Sequence, residues 1–150
     1  MIAKIPIQTV SKSVPSEHEE AKALMRLVHL HEAQHPELRW FAAIPNGGAR
    51  SKATAGKLKA EGVRKGVPDY LMPVSMSVKD GDVVGLYREY IGLAIELKRR
   101  KGGRVEPEQH DWMAHLSEQG WRCHVASGHE VAWAAICEYL GIRNVLEGGA

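Results

Sequence analysis

The sequence predicts an α/β domain with a mixed central sheet and helices on both faces. Three observations predict it. In Ile91-Gly-Leu-Ala-Ile-Glu-Leu-Lys98, six of eight residues are apolar or Gly, which reads as a strand buried on both faces. Apolar residues recur at helical spacing before it (from Ser16) and after it (from Pro107). Pro- and Gly-rich turns cut the remainder into short segments.

The elements follow in order. Residues 1–15 carry Pro6 and Pro15 and no clear period, which suits an N-terminal arm. Ser16 with Glu19 forms a capping box, and Ala21, Leu24, Leu27, Val28 and His31 make the apolar stripe of a first helix ending near His35-Pro36. Leu38 to Ile44 reads as a first strand, broken at Pro45-Asn-Gly-Gly48. Ser51 caps a short helix with Ala55 and Leu58 on its apolar side, closing at Gly62. Val67 to Val74 reads as a second strand bounded by Pro68 and Pro73.

Lys79-Asp-Gly-Asp82 reads as the turn of a hairpin inserted before the central strand, 90–98. Gly102-Gly103 ends that strand, and Pro107 opens a helix carrying Trp112, Met113 and Leu116 inward. A strand over 121–126 and a helix over 129–140, packed through Val131, Ala134, Ala135 and Tyr139, complete the domain, with 142–150 as a tail. All four tryptophans, Trp40, Trp112, Trp121 and Trp133, are expected in the core.

A chain of 150 residues, 44% hydrophobic and 25% charged, has the size and composition of one soluble domain. No apolar run reaches a membrane span, and the N-terminus lacks a signal-peptide core, which points to an intracellular, cytoplasmic protein. Cys123 and Cys137 are then reduced thiols.

The net charge of +2 conceals a segregation. Residues 50–65 carry +5 (Arg50, Lys52, Lys57, Lys59, Arg64 and Lys65 against Glu61), and residues 98–104 carry +5 (Lys98, Arg99, Arg100, Lys101, Arg104), leaving −8 for the rest. Such clustering suits a polyanion. With the Asn46-Gly47-Gly48 turn, which lets backbone approach closely, these residues form the candidate phosphate-binding surface. No helix with obvious base-reading side chains occurs, which favours recognition of nucleic-acid shape.

Glu96 and Lys98 share one face of the central strand, and Leu97 takes the other. A carboxylate and an ammonium at the end of an apolar strand are costly unless paired or ligand-bound. Asp69 begins one core strand and Glu96 ends the next, so antiparallel neighbours would bring both carboxylates to one edge. Such a pair, with the Leu97 backbone carbonyl, suits Mg²⁺ or Mn²⁺. Lys98 can hold a water beside them. His31 and His35, four apart, lack Cys or acidic partners at zinc spacing, and zinc is set aside.

Pro68-Asp69 followed by Glu96-Leu97-Lys98 resembles the signature of the PD-(D/E)XK nucleases. The flanking residues narrow the likeness. Pro45-Asn-Gly-Gly-Ala-Arg50, Leu58-Lys59 with Gly62, Gly66-Val-Pro-Asp69, Gly92 to Arg99, and Glu108-Gln109 with Trp112 and Gly120 resemble, in that order, the VRR-NUC family, including its stand-alone bacteriophage members. The likeness covers residues 16–141. It implies a restriction-endonuclease-like core and metal-dependent cleavage of DNA phosphodiesters, often in branched substrates such as four-way (Holliday) junctions or flaps. It further implies Asp69 and Glu96 as metal ligands, Lys98 as the catalytic lysine, Glu20 as the first helix's carboxylate, Gln109 facing the site, and a homodimer. The helical Glu is usually followed by Gln, directly or one residue on. Here Ala21-Lys22 follow Glu20, and Glu17 and Glu19 are near enough to compete. A non-catalytic nucleic-acid-binding module and a nuclease acting on RNA are the alternative expectations.

Overall fold

A computed structural model of the chain describes residues 13–45 and 51–147. It contains α1 (Glu17–His31), β1 (Ala42–Ala43), α2 (Lys52–Ala60), β2 (Tyr70–Met72), β3 (Met76–Lys79), β4 (Tyr87–Tyr90), β5 (Gly92–Lys98), α3 (Pro107–Glu118), β6 (Trp121–Ser127) and α4 (His129–Leu140). The main sheet runs β1-β2-β5-β6, and β3 and β4 form a separate two-stranded sheet. β2 is antiparallel to β5, and β6 is parallel to it, so the expected mixed α/β fold is what the chain adopts. Among the described residues, no helix is long and apolar enough to cross a membrane.

β5 is the centre because all seven of its residues are buried. Leu93, Ile95 and Leu97 join the hydrophobic core with Leu24 and Val28 of α1 and Trp133 and Ile136 of α4. The other face starts with Gly92 and Ala94, which leave little side-chain bulk. A Cβ on Gly92 would strike the Trp121 ring, so glycine is what lets that indole lie over the strand.

The Ser16 capping box is present: Glu19 N–H donates to Ser16 Oγ at 3.2 Å, and Ser16 N–H donates to Glu19 at 2.7 Å. Helix α1 ends at His31, four residues before the expected stop. The expected strand over 38–44 begins inside a short 3-10 helix, Pro36–Trp40, and only Ala42 and Ala43 pair with β2. Its apolar spacing explains the difference. Leu38 and Phe41, three apart, are both buried, which fits three residues per turn, whereas Trp40 is 63% exposed and not in the core.

The second strand contracts to three residues between its prolines. The hairpin exists, but residues 80–86 form its loop in place of a tight turn. Val131 also differs from expectation: it is exposed, and α4 packs through Ala132, Trp133, Ala135, Ile136 and Tyr139.

Glu20 ties three elements together. Its carboxylate is fully buried and accepts from Arg100 Nε at 2.6 Å, beyond the end of β5. It also accepts from the His129 backbone N–H at 2.9 Å and lies 2.5 Å from His129 Nδ1, at the start of α4. Burial alone would raise the Glu20 pKa, but the hydrogen bonds from Arg100 and His129 outweigh it and hold it at about 2. Gly66 makes the second close join. Its φ is +88°, and an added Cβ would lie 2.5 Å from the Glu108 backbone carbonyl carbon, so only glycine lets this loop rest on α3.

Two outcomes follow. Gly66→Ala combines left-handed strain with a backbone collision and should lose on the order of 2–4 kcal/mol in urea unfolding. Glu20 has a folded pKa below its unfolded one, so its contribution is complete above the ordinary carboxylate value and disappears as pH falls towards about 2. Glu20→Gln should therefore cost about 1–3 kcal/mol near neutrality and flatten the fall of the thermal midpoint between about pH 5 and pH 2.

Candidate active site

Antiparallel pairing sets Tyr70 opposite Ile95 and so brings Asp69, just before β2, to the end of β5. The Leu97 N–H donates to Asp69 Oδ2 at 2.8 Å. In an extended strand, the N–H and C=O of one residue share an edge, so the Leu97 carbonyl points to the same side as Asp69. Strand alternation turns Glu96 and Lys98 together towards α3. Lys98 Nζ lies 2.7 Å from Glu96 Oε1 and donates to Gln109 Oε1 at 3.1 Å. The Gln109 amide nitrogen donates to Glu96 Oε1.

Gln109 is held by the start of its own helix. Its Oε1 accepts from the Glu106 N–H at 2.8 Å, the capping contact of α3, while receiving Lys98. The residue that closes the helix end thus also fixes the lysine and the carboxylate.

Asp69, Glu96 and Gln109 line a cleft of about 190 Å³ that also takes in Glu17, Glu106 and Glu108. Burial pushes the Glu96 carboxyl up to about 7 despite the Lys98 hydrogen bond, and the Asp69 charge adds to the rise. Asp69 is raised as well, by burial first and by Glu17 in addition, against the pull of the Leu97 N–H. The Asp69 charge makes Glu96 harder to ionise, whereas a hydrogen bond with Glu96 draws Asp69 the other way.

The donor set fits a hard divalent cation. Glu96 Oε2 is buried and has no hydrogen-bond partner among the described residues, an unusual state for a carboxylate oxygen. Around it stand oxygen donors and, in the same cleft, several acids. A cation there would supply the missing partner and offset the repulsion between Asp69 and Glu96.

Glu20 lies apart from this group. It serves Arg100 and His129, whereas Glu17, one turn earlier on α1, is the α1 carboxylate lining the cleft. Glu20, His129 and Glu130 do bring three ligand atoms within 4.8 Å of one another. Arg100 already occupies that cluster, 2.6 Å from Glu20 and 2.6 Å from Glu130, so the positive charge there is a guanidinium. His129 was missed by sequence reasoning, because nothing in residues 109 positions apart signals their contact.

The basic residues divide. Arg100 is committed to its two carboxylates, and Lys65 Nζ is 2.8 Å from Glu108. Lys57 stands 3.9 Å from Glu61. Lys52, Lys59, Arg64, Arg99, Lys101 and Arg104 are exposed and form no ion pair among the described residues. Asn46, Gly47, Gly48 and Arg50 lie outside the described residues. His31 does not pair with His35 as a ligand set: its Nδ1 lies 2.7 Å from the Leu27 carbonyl, and its ring packs on Trp133.

The comparisons with known proteins agree with this fold. A solved structure described as a VRR_NUC domain protein is similar with a TM-score of 0.64 at 20% identity, covering 88% of this chain and 93% of that one. Curated proteins gave no match. The model of the VRR-NUC domain matches residues 14–130. With most of the chain inside that match, the protein belongs to the VRR-NUC family of nucleases.

Proposed function

We propose that this protein is an Mg²⁺- or Mn²⁺-dependent endonuclease that hydrolyses DNA phosphodiester bonds, selecting branched structures such as four-way junctions or flaps. The observation that carries the reading is buried Glu96 with Lys98 and half-buried Asp69 beside it, one Glu96 oxygen lacking a partner among the described residues. Asp69, Glu96 and the Leu97 carbonyl would hold the ion, and Glu17 takes the place first given to Glu20. A bound divalent ion supplies Lewis-acid stabilisation of the phosphoryl oxygens.

Lys98 does the positioning. Of its three N–H donors, one goes to Glu96 and one to Gln109, which leaves the third for a water or a phosphate oxygen. Gln109, pinned by the helix cap, keeps the ammonium from swinging out. The water held there attacks phosphorus; the O–P bond forms as the P–O3′ bond breaks, leaving a 5′-phosphate and a 3′-hydroxyl. Lys52, Lys59, Arg64, Arg99, Lys101 and Arg104 supply phosphate contacts on either side of the cleft. A homodimer working inside the cell, as a phage-encoded protein would in its host, would place two clefts on a two-fold branched substrate.

The direct test incubates labelled junction, flap, splayed-arm, duplex and single-stranded RNA substrates with Mn²⁺, Mg²⁺ or chelator. Cleavage of branched DNA that chelator abolishes is the expected result; binding without cleavage in every metal would leave a non-catalytic module. Lys98→Ala should retain DNA affinity within about threefold and lose cleavage by on the order of 10²-fold or more. Glu17→Gln, an exchange at an exposed position, should raise the Mn²⁺ concentration for half-maximal cleavage by about 10–100-fold. An unchanged requirement would remove Glu17 from the site.

A further inference from the structure

Next to the acidic cleft, sharing Lys65 and Glu108 with it, runs a wider groove of about 880 Å³ between α2 and α3. Its floor is apolar, formed by Leu58, Val63 and Trp112, and its rim carries Lys59 and Arg64. Helix α2 buries none of its nine residues, so its apolar side, Ala55 and Leu58, lines this groove and is not packed away. A surface helix ordinarily buries such a stripe. Trp112 donates its Nε1–H to the Lys65 carbonyl at 3.2 Å, which satisfies its polar atom and holds the indole in place.

The charge of the rim is net positive where it is free. Lys65 and Glu108 neutralise each other at 2.8 Å, while Lys59 and Arg64 have no ion pair among the described residues. Asp111 is the remaining acid of the lining and can accept a hydrogen bond from a base N–H.

We infer that this groove binds an unpaired DNA strand, with bases on Leu58, Val63 and Trp112 and phosphates on Lys59 and Arg64. A duplex hides its base faces and would engage the cations alone, leaving the apolar floor in water. A strand that offers both bases and phosphates engages both parts. Because the groove and the cleft share Lys65 and Glu108 in their walls, the strand would lie beside the phosphodiester to be cut. The inference deepens the nuclease reading and depends on it only for the strand's role.

The test measures binding by the whole chain in chelator, using fluorescence anisotropy with oligo-dT, an abasic oligomer of equal length and a blunt duplex. The native protein should hold oligo-dT about tenfold more tightly than the abasic strand, which keeps the phosphates and loses the bases. Trp112→Ala should remove most of that preference. Leu58→Ala, on a helix with no buried residue, should reduce it by about threefold while leaving duplex affinity within about twofold. Equal affinity of the native protein for the two strands overturns the inference. So does a Leu58→Ala variant that keeps the full preference or weakens the duplex equally. Since no arm contains metal, failure to cleave DNA in Mn²⁺ bears on the nuclease assignment alone, and loss of base preference bears on the groove alone.

Discussion

One buried and one half-buried carboxyl group stand at the same end of the sheet, and much of the local structure compensates them. Asp69 and Glu96 come together because β2 and β5 are antiparallel neighbours. Burial raises both pKa values, and the Asp69 charge adds to the rise at Glu96. The Leu97 N–H, the Lys98 ammonium and the Gln109 amide supply compensation, but one Glu96 oxygen is left unsatisfied. A buried anionic site with incomplete compensation binds a cation at a gain that a satisfied ion pair cannot offer.

The contrast with Glu20 makes that argument sharper. Both carboxylates are fully buried or nearly so. Around Glu20, hydrogen bonds from Arg100 and His129 outweigh burial, and the pKa is held at about 2. Around Glu96, burial prevails and the pKa rises to about 7. The first arrangement fastens α1 to α4 and to the end of β5. The second leaves one carboxylate oxygen without a donor among the described residues. The same chemical group is thus saturated with donors in one place and short of one in the other, and the supply of donors separates the two environments.

Close packing of α3 gives the site its shape. Gly66 allows the loop before β2 to touch the Glu108 backbone, and Gln109 closes the α3 N-terminus while reaching Lys98 and Glu96. A helix cap, a positive-φ glycine and the lysine's orientation are therefore one mechanical unit. That same loop carries Lys65, through which the acidic cleft meets the apolar groove under α2.

The sequence by itself determined what depends on neighbours along the chain. The apolar run of β5, the Ser16 capping box and the alternation that sets Glu96 and Lys98 on one face are all local, and they were legible. It misjudged Leu38 to Ile44 because spacing by three and alternation differ little over seven residues, and Trp40 was free to face solvent. Only the tertiary structure decided which acid of α1 enters the cleft. Glu17 and Glu20 stand within one turn, so a modest rotation of the helix exchanges them, and that rotation is set by Arg100 and His129, 80 and 109 positions from Glu20. Contacts across such distances leave no local periodicity to read, because the chain's own spacing does not constrain them until the core has formed.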